Sequence, residues 1–568
     1  MPDHSAESTS AGAWLRYAWV FLAAAGLSLQ LGDHALIDPD EGRIAAIAGE
    51  MASSGDFLIP TLDGLPCLDK PFLFFSTAAA SIRLLGPTET ATRLPSLIFA
   101  WATIVLTAWF AARLFGPETA WVAGVAAATA PLSIVFSKTA RFDTMLTFFL
   151  TLALVSFYLA LESRLQSNGA SYRYWTLLAW LSMALGVLTK GPVALAVPLL
   201  IAAPYAAWRK ASLAVWHPAG WLMHLAVVIP WVWFVESRLP GFLRYALVTE
   251  TWHRVTTDQL NRTGPIWYFL PYLLGGAFPW LVVAFAGCRR RWPEIRKHGL
   301  KSPVVYLILW VVLPLVFFSL SQSKRPQYIL PVMPAIALLA AWSWGTHPQR
   351  RPLPGARATA LCWLVLAAAL LVTIPLIPNH PEMRPELIDG ALSTARLLAA
   401  LALAAGLTVW LAACRRSGAI VALSLPLVVL PSLVAPLLSE AAALRSGKDL
   451  AAALTPSLTA ETLVVGLEAF SPSLTFYLGR PVMVASTTGE PLDSNYILHS
   501  YEQWVDTDAS SLRSHEWWWQ TMARCRRPSV FILHPALGDI RRVLEERGMP
   551  LLFEDRRWVA YGPCQQGR

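Results

Sequence analysis

The chain has 568 residues, 55% of them hydrophobic and only 14% charged, where a soluble domain carries about a quarter charged residues. That balance excludes an ordinary soluble globular protein. The net charge of +9 is no argument for nucleic acid either, because lysine and arginine are recruited to the cytoplasmic loops of membrane proteins.

Residues 1–12 are polar and poor in basic side chains, and the apolar run 14–32 lacks a convincing cleavage site, so a retained first helix is predicted. Further apolar runs of bilayer-spanning length follow near 92–112, 117–137, 144–162, 174–189, 192–208, 219–235, 266–287, 303–320, 327–343, 359–377, 395–413 and 419–438, roughly thirteen spans in all. A shorter apolar piece, 72–85, contains Arg83 and reads as re-entrant or interfacial. The six cysteines are scattered, with no CxxC and no metal-ligand spacing, which argues against zinc.

Orientation follows from the short loops. With the N-terminus inside, the inside loops carry Arg113, then Arg164 and Arg173, Arg209 and Lys210, and the cluster Arg289–Arg291 with Arg296, Lys297 and Lys301. Arg350, Arg351 and Arg357, then Arg415 and Arg416, complete the series, as the positive-inside rule requires. An odd number of spans then puts the C-terminal region outside, in the periplasm of a Gram-negative cell.

Topology does not explain Lys70, Lys138, Arg141, Lys190, Arg254, Lys324 and Arg325, which fall at outer span ends or in outer loops. Several stand near carboxylates: Asp69, Asp143 and Glu250. Each one alone could simply reach the outer headgroups. As a set on one face they point to an anionic ligand, and phosphate suits lysine as a point charge and arginine as a fork.

The first outer loop runs from Asp33 to Lys70. Asp38 or Asp40 can cap a helix whose first turn holds Glu41, and Ile44, Ile47, Ala48 and Met51 form an apolar stripe suited to a membrane interface. Asp63-Gly64 marks a turn before Lys70. The region 440–568 changes character. Short strand-like runs at 462–466, 482–484, 529–533 and 558–561, with a helix predicted over 537–547, read as a small α/β domain. Asn495, Asp506 and Trp517–Trp519 read as loop. Cys525 and Cys564 bracket the last strand-rich segment and are the candidates to pair in an oxidising compartment.

Asp38-Pro39-Asp40-Glu41-Gly42-Arg43, Gly55-Asp56-Phe57, Leu62-Asp63-Gly64 and Asp69-Lys70-Pro71 resemble the first outer loop of bacterial lipid A aminoarabinose transferases. The wider relatives of that family include the protein O-mannosyltransferases, with the GT-C membrane fold. Arg93-Leu94-Pro95-Ser96, Leu188-Thr189-Lys190-Gly191, Gly241-Phe242-Leu243-Arg244-Tyr245, Glu250, Arg254, Ser323-Lys324, Tyr328-Ile329-Leu330-Pro331 and Phe476-Tyr477-Leu478-Gly479-Arg480-Pro481 continue the match in order. Departures are Asp69 where a glutamate is usual, Glu250-Thr251 with His253 displaced, and Lys324-Arg325 in place of lysine-leucine.

The resemblance implies a polytopic α-helical GT-C protein. Residues 1–439 would form the transmembrane glycosyltransferase domain, with outer loops 33–91 and 236–265, and 440–568 a periplasmic domain. It implies an enzyme of the bacterial inner membrane. A sugar would pass from a polyprenyl (undecaprenyl) phosphate donor to an acceptor on the periplasmic face, in the first instance aminoarabinose to lipid A phosphate. The alternatives are mannosyl or hexosyl transfer to protein or another glycan and, in a different class, a flippase for a lipid-linked sugar. A flippase should show inverted repeats, and none is found. Asp40, Glu41 and Asp143 are the candidate catalytic carboxylates. Asp69, Lys70, Arg141, Lys190, Glu250, Arg254, Lys324 and Tyr328 are the candidates for substrate and phosphate. No cofactor is required by these residues, and a divalent metal is left open. The expected partners are the lipid-linked sugar, lipid A or another periplasmic acceptor, and membrane lipids, with no nucleic acid.

Overall fold

The computed structural model describes residues 4–253, 263–345, 352–379, 385–508 and 510–564. Arg350 and Arg351 of the predicted inside loops, and Arg254 of the candidate site, lie outside the described residues. Two compact units share the chain, and both are discontinuous. The first gathers Met1–Leu31, Ser96–Phe234 and Thr251–Leu438; the second gathers Gly32–Pro95, Val235–Glu250 and Ser439–Arg568.

The first unit is helical. Among the described residues of the chain, eight helices are long and apolar enough to cross a membrane: Glu89–Phe115, Phe142–Leu165, Ser212–Arg238, Pro303–Leu320, Pro326–Gly345, Ala356–Pro378, Pro385–Ala412 and Ser417–Ala443. Two bent pairs raise the number to 10 if each is one span. They fall where unbroken spans are predicted at 117–137 and 266–287. Pro117–Thr129 and Pro131–Ser137 meet at 62°, Phe269–Gly276 and Trp280–Arg290 at 95°. Proline explains both breaks. Ala130 is extended (ψ 124°), as a residue before proline prefers, and Pro279 brings no N–H to the ladder at the second bend.

Phe142–Leu165 is apolar all round and packs along Gly169–Lys190 as a helical hairpin. Its short connection is closed by Asn168, whose side chain accepts from the Ser171 N–H at 3.1 Å. Three fully buried indoles find an acceptor: Trp180 the Val215 carbonyl (2.8 Å), Trp280 the Thr129 hydroxyl (3.0 Å) and Trp310 the Pro331 carbonyl (2.9 Å).

The second unit is α/β. A two-stranded hairpin pairs β1 (Thr61–Leu62) with β2 (Leu65–Pro66). Its turn residues Asp63 (φ 52°) and Gly64 (φ 79°) are both left-handed, the pattern that an Asp-Gly turn supplies. A six-stranded sheet follows: β3 (Leu463–Leu467), β4 (Met483–Ala485), β5 (Leu512–Arg513), β6 (Ser529–Leu533), β7 (Leu551–Glu554) and β8 (Val559–Tyr561). Their spatial order is β5-β4-β3-β6-β8-β7. The first four strands are mutually parallel and linked through helices, as parallel neighbours must be; β8 turns antiparallel to β6 and β7. Two strands, β5 and β7, are absent from the sequence reading, β5 being only two residues long. Trp517–Trp519, read as loop, lie in the helix His515–Arg524, started by Ser514 accepting from the Trp517 N–H. Trp518 is buried beneath the sheet with Leu544, Phe531 and the disulfide Cys525–Cys564. Closing a loop of 39 residues restricts the unfolded chain by about 4 kcal/mol.

The helix Asp40–Ser54 corrects two expectations. Neither Asp38 nor Asp40 caps it: Pro39 occupies the cap position, and no side chain bonds there. The carboxylate of Asp38 is instead drawn to the start of the helix Pro472–Leu478, where it accepts from the Ser473 N–H (3.0 Å), the Ser473 hydroxyl (2.8 Å) and the Ser471 hydroxyl. The stripe Ile44, Ile47, Ala48 and Met51 is buried against Leu73–Leu85 and Pro472–Leu478 rather than turned to a membrane interface. Gly42 makes that approach fit. A Cβ there would overlap the Asp38 carboxylate and stand 2.6 Å from the Ser473 nitrogen. Gly42→Ala is therefore expected to destabilise the second unit by at least about 3 kcal/mol through overpacking and lost charged hydrogen bonds, read as a lowered melting temperature in detergent.

Asp63 gives a pH test. Burial, then the charge of Glu50, holds its carboxyl well above the usual carboxylate range against bonds from Thr475 (3.1 Å) and the Val482 N–H (3.4 Å). A carboxyl raised by folding contributes stability that is complete below its unfolded value of about 3.9 and is lost as pH rises through the folded value. Asparagine tolerates the same left-handed backbone. Asp63→Asn should thus melt about 2–4 °C above the parent at neutral pH, with the difference vanishing on acidification. Equal melting curves at all pH values would remove the buried-carboxyl account.

Candidate active site

The expected site residues fall into two groups, one in each unit. In the second unit the centre is Arg43, in the first turn of Asp40–Ser54 beside the buried stripe. Its guanidinium donates to the Asp493 carbonyl and stands 3.6 Å from the Asp493 carboxylate, 3.9 Å from Asp40 and 4.0 Å from Asp69. Burial alone would depress Arg43; the negative surroundings of Asp69, Asp493 and Asp40 more than reverse it and hold the charge in place. Asp40 is the acid of this group in the first helical turn.

Lys70 follows directly. Its ammonium pairs with Glu250 and also donates to the Asp69 carbonyl at 2.5 Å. Glu250 in turn accepts from the Asn495 amide at 3.3 Å. The Asp69 carboxylate accepts from the Tyr245 hydroxyl (3.0 Å) and the Tyr496 N–H (2.9 Å). Burial, then the nearby charges of Asp69 and Glu250, raises Tyr245 and keeps its hydroxyl a donor. Three segments far apart in sequence therefore meet here: 40–70 brings Asp40, Arg43, Asp69 and Lys70; 245–250 brings Tyr245 and Glu250; 493–496 brings Asp493, Asn495 and Tyr496.

Glu41 stands apart from the other expected catalytic acids. Both of its oxygens are taken by the fork of fully buried Arg93, each bond 2.9 Å, and Arg93 donates onward to the His34 and Ala35 carbonyls. A carboxylate clamped this way has no free edge for a sugar, so Glu41 acts as an anchor of the loop. The Phe476-Tyr477 motif is explained similarly. Tyr477 takes the Leu36 N–H (2.9 Å) and donates to Glu89 (3.0 Å), which Lys448 also holds (2.7 Å).

In the first unit Asp143, in the first turn of Phe142–Leu165, pairs with Lys190, the last residue of Gly169–Lys190. The Lys190 ammonium also lies 5.1 Å above the ring of Tyr328. Phe269 and Phe318 continue this aromatic group, 6.4 and 5.3 Å from Tyr328. Arg141 precedes the Asp143 helix, its backbone tied to the Ser96 hydroxyl through both N–H (3.2 Å) and carbonyl (3.1 Å). Lys324 is 7% exposed, and its ammonium donates to the Ser321 carbonyl at 2.6 Å. Among the described residues no three of His, Cys, Asp and Glu gather in a way that could hold a metal ion.

Sequence reasoning missed Arg43, Tyr245, Asp493 and Asn495 as members of the site. Arg43 was readable as a charged residue off the apolar stripe, in the same turn as Asp40. Nothing local marks Asn495, because its partner Glu250 is 245 residues away.

Comparison with known proteins bears on these residues together. Residues 69–234 match the family of dolichyl-phosphate-mannose-protein mannosyltransferases. The undecaprenyl phosphate-alpha-4-amino-4-deoxy-L-arabinose arabinosyl transferase of Aeromonas salmonicida is 32% identical over 379 residues, 65% of this chain and 68% of that protein. The same enzyme of Erwinia tasmaniensis is 31% identical over 384 residues, 65% of this chain and 67% of its own length. The crystal structure of ArnT from Cupriavidus metallidurans bound to undecaprenyl phosphate superimposes with a TM-score of 0.82 at 24% identity, covering 97% of this chain and 98% of that one. The helical GT-C fold is thereby shown. Since the Aeromonas relative matches over more than two thirds of its length, the chain belongs to the family of the undecaprenyl phosphate-aminoarabinose arabinosyl transferases.

Proposed function

We propose that the protein is a membrane glycosyltransferase that moves an aminoarabinose-type sugar from undecaprenyl phosphate to a phosphate of lipid A on the periplasmic face. One observation carries the assignment to this site: Lys70, held by Glu250 beside Asp69, with Asp40 and Arg43 in the same unit. In the reaction the bond from the anomeric carbon to the donor phosphate oxygen breaks, and its electron pair leaves with the polyprenyl phosphate. Lys70 supplies positive charge to that leaving group; preorganised charge of this kind is often the largest catalytic contribution. An acceptor phosphate oxygen forms the new bond. A phosphate monoester has its second pKa near ~6, so it arrives already ionised and needs no strong base. Asp40 accordingly stabilises the positive charge developing on the sugar and orients the acceptor. Asp143 holds Lys190, Tyr328 borders that pair, and Asp69 and Glu250 position Lys70.

The membrane arrangement belongs to the same reading: thirteen spans, an inner-membrane location, and a periplasmic active site and C-terminal domain. The alternation of basic loops supports it, and so does the disulfide Cys525–Cys564, which belongs to an oxidising compartment.

Two measurements test these assignments. Purified Asp40→Asn should bind polyprenyl phosphate as the parent does yet lose sugar transfer measured by mass spectrometry. Lys70→Ala leaves Glu250 without its cation, a loss worth ~3–5 kcal/mol, and should weaken polyprenyl-phosphate binding at least ~100-fold. Transfer at the parental rate by Asp40→Asn would sink the role given to Asp40. For the orientation, Lys297→Cys and Glu502→Cys are compared with a membrane-impermeant maleimide added from the periplasmic side. Labelling at 502 and protection at 297 are expected, and the reverse pattern overturns the topology.

A further inference from the structure

The connection between the helices Trp280–Arg290 and Pro303–Leu320 carries more charge than topology asks of it. Residues 289–301 hold six lysines and arginines and one acid, Glu294, whereas each of the other inside loops holds one to three basic residues. A small bias of lysine and arginine is enough to orient a span. The segment is also anchored rather than slack. Arg291 donates from Nε to Glu294 at 2.6 Å, and its guanidinium lies 5.3 Å from the centre of the Trp342 ring. Ile295 is buried under the short helix Trp292–His298. The Leu300 carbonyl accepts from the Tyr205 hydroxyl (2.9 Å) and from Arg209 (3.2 Å), which ties the segment to the end of the helix Val193–Trp208. Arg209 is itself paired with Glu162 at 3.1 Å. These anchors use Arg291 and Arg209, while Lys210, Arg289, Arg290, Arg296, Lys297 and Lys301 are all exposed. Trp208 and Trp292, next in sequence to the anchoring arginines, are exposed as well. Indole rings with one apolar and one polar edge settle at the headgroup level of a bilayer.

We propose that the surface formed by 289–301 and the turn 208–210 binds the headgroups of anionic phospholipids in the inner leaflet. The two indoles set its depth, and the exposed cations meet lipid phosphates, as dense basic clusters immediately beside a span do. A soluble polyanion has no use for the indoles, so a lipid is the occupant that fits. The surface joins three helix ends: Arg289 and Arg290 close Trp280–Arg290, Lys301 precedes Pro303–Leu320, and Lys210 follows Val193–Trp208. Lys210 and Lys301 are each one residue from the contact between Arg209 and Leu300. Like charges gathered at three helix ends repel one another, and anionic headgroups relieve that repulsion, so the lipid stabilises this end of the helical unit. The site is separate from the one that takes substrate. It rests on the orientation given above only for the choice of leaflet.

The test uses the full-length protein in detergent, with phosphatidylglycerol, cardiolipin, zwitterionic phosphatidylethanolamine or glycerol phosphate added. The two anionic lipids should raise the melting temperature and bind at least ~10-fold more tightly than phosphatidylethanolamine. Glycerol phosphate, which has no acyl chain, should do neither. In Arg296→Gln/Lys297→Gln/Lys301→Gln the affinity for the anionic lipids should fall at least ~30-fold, with polyprenyl-phosphate binding unchanged. Lys210→Gln/Arg289→Gln/Arg290→Gln removes the other half of the surface and should lose affinity to a similar degree, so the test stands even where one of the two triple variants fails to fold. Arg113→Gln/Arg415→Gln takes exposed arginines from two other inside loops and should bind as the parent does. Equal binding of phosphatidylethanolamine or glycerol phosphate, parental affinity in either triple variant, or an equal loss in the Arg113/Arg415 control would overturn the proposal. No leaflet is defined in detergent, so labelling of Lys297→Cys from the periplasmic side would overturn the orientation alone and move the lipid site to the other leaflet.

Discussion

The carboxylate of Asp38 is the constraint on which the second unit depends. It takes hydrogen bonds from Ser471 and from both the backbone and the hydroxyl of Ser473, and these compete with the cost of burying it, which raises its pKa. A buried carboxyl with fewer donors would be destabilising. The bonds fix the first turn of the helix Asp40–Ser54 against the start of another helix, and with it the direction in which Asp40 and Arg43 leave the backbone. Gly42 permits the contact, and Arg93 with Glu41 secures the other side of the same turn. The Asp-Pro-Asp-Glu-Gly-Arg sequence thus divides its labour. Asp38, Glu41 and Gly42 set the position of the loop, while Asp40 and Arg43 face the acidic cluster with Asp69 and Asp493.

Much of this was legible before any coordinates. Apolar runs of bilayer length, the basic alternation of the loops, the Asp-Gly turn and the central strands of the sheet are local signals, each produced by a few adjacent residues. The site was legible in part, for the same reason. Lys70, Glu250, Asp143 and Lys190 stand out as charges in an apolar chain, and the structure brings them together as two ion pairs. Other features depend on partners hundreds of residues away. Whether Asp38 caps its own helix or reaches Ser473 turns on donors that no local window contains, and Asn495 becomes part of the site only through Glu250. Both broken helices were written in the chain as Pro131 and Pro279, but hydropathy outweighs a single proline when a span is read from composition.

The charge arrangement also explains how a protein can keep so many ionisable groups in a largely apolar chain. Several are met by an opposite charge: Arg93 by Glu41, Lys190 by Asp143, Lys70 by Glu250, Lys448 by Glu89. A paired charge can be buried without unfolding the protein, and it can be released when a substrate offers a better partner. The carboxylates of these pairs therefore keep their cations buried in the folded protein.

The second unit is assembled from three stretches separated by hundreds of residues, and this bears on how the molecule is made. A ribosome delivers Asp38 and Gly42 more than 400 residues before Ser471 and Ser473 appear. Until Ser471 and Ser473 have been made, the aspartate of the first loop lacks these partners, and its apolar stripe has only the helix Leu73–Leu85 to cover it. Folding of this unit must await the end of translation, since contacts so distant cannot form earlier. A chain that stops short of Ser471 and Ser473 could insert its early helices and still never shape the first loop, so the final quarter of the protein acts as a checkpoint on the fold of its beginning.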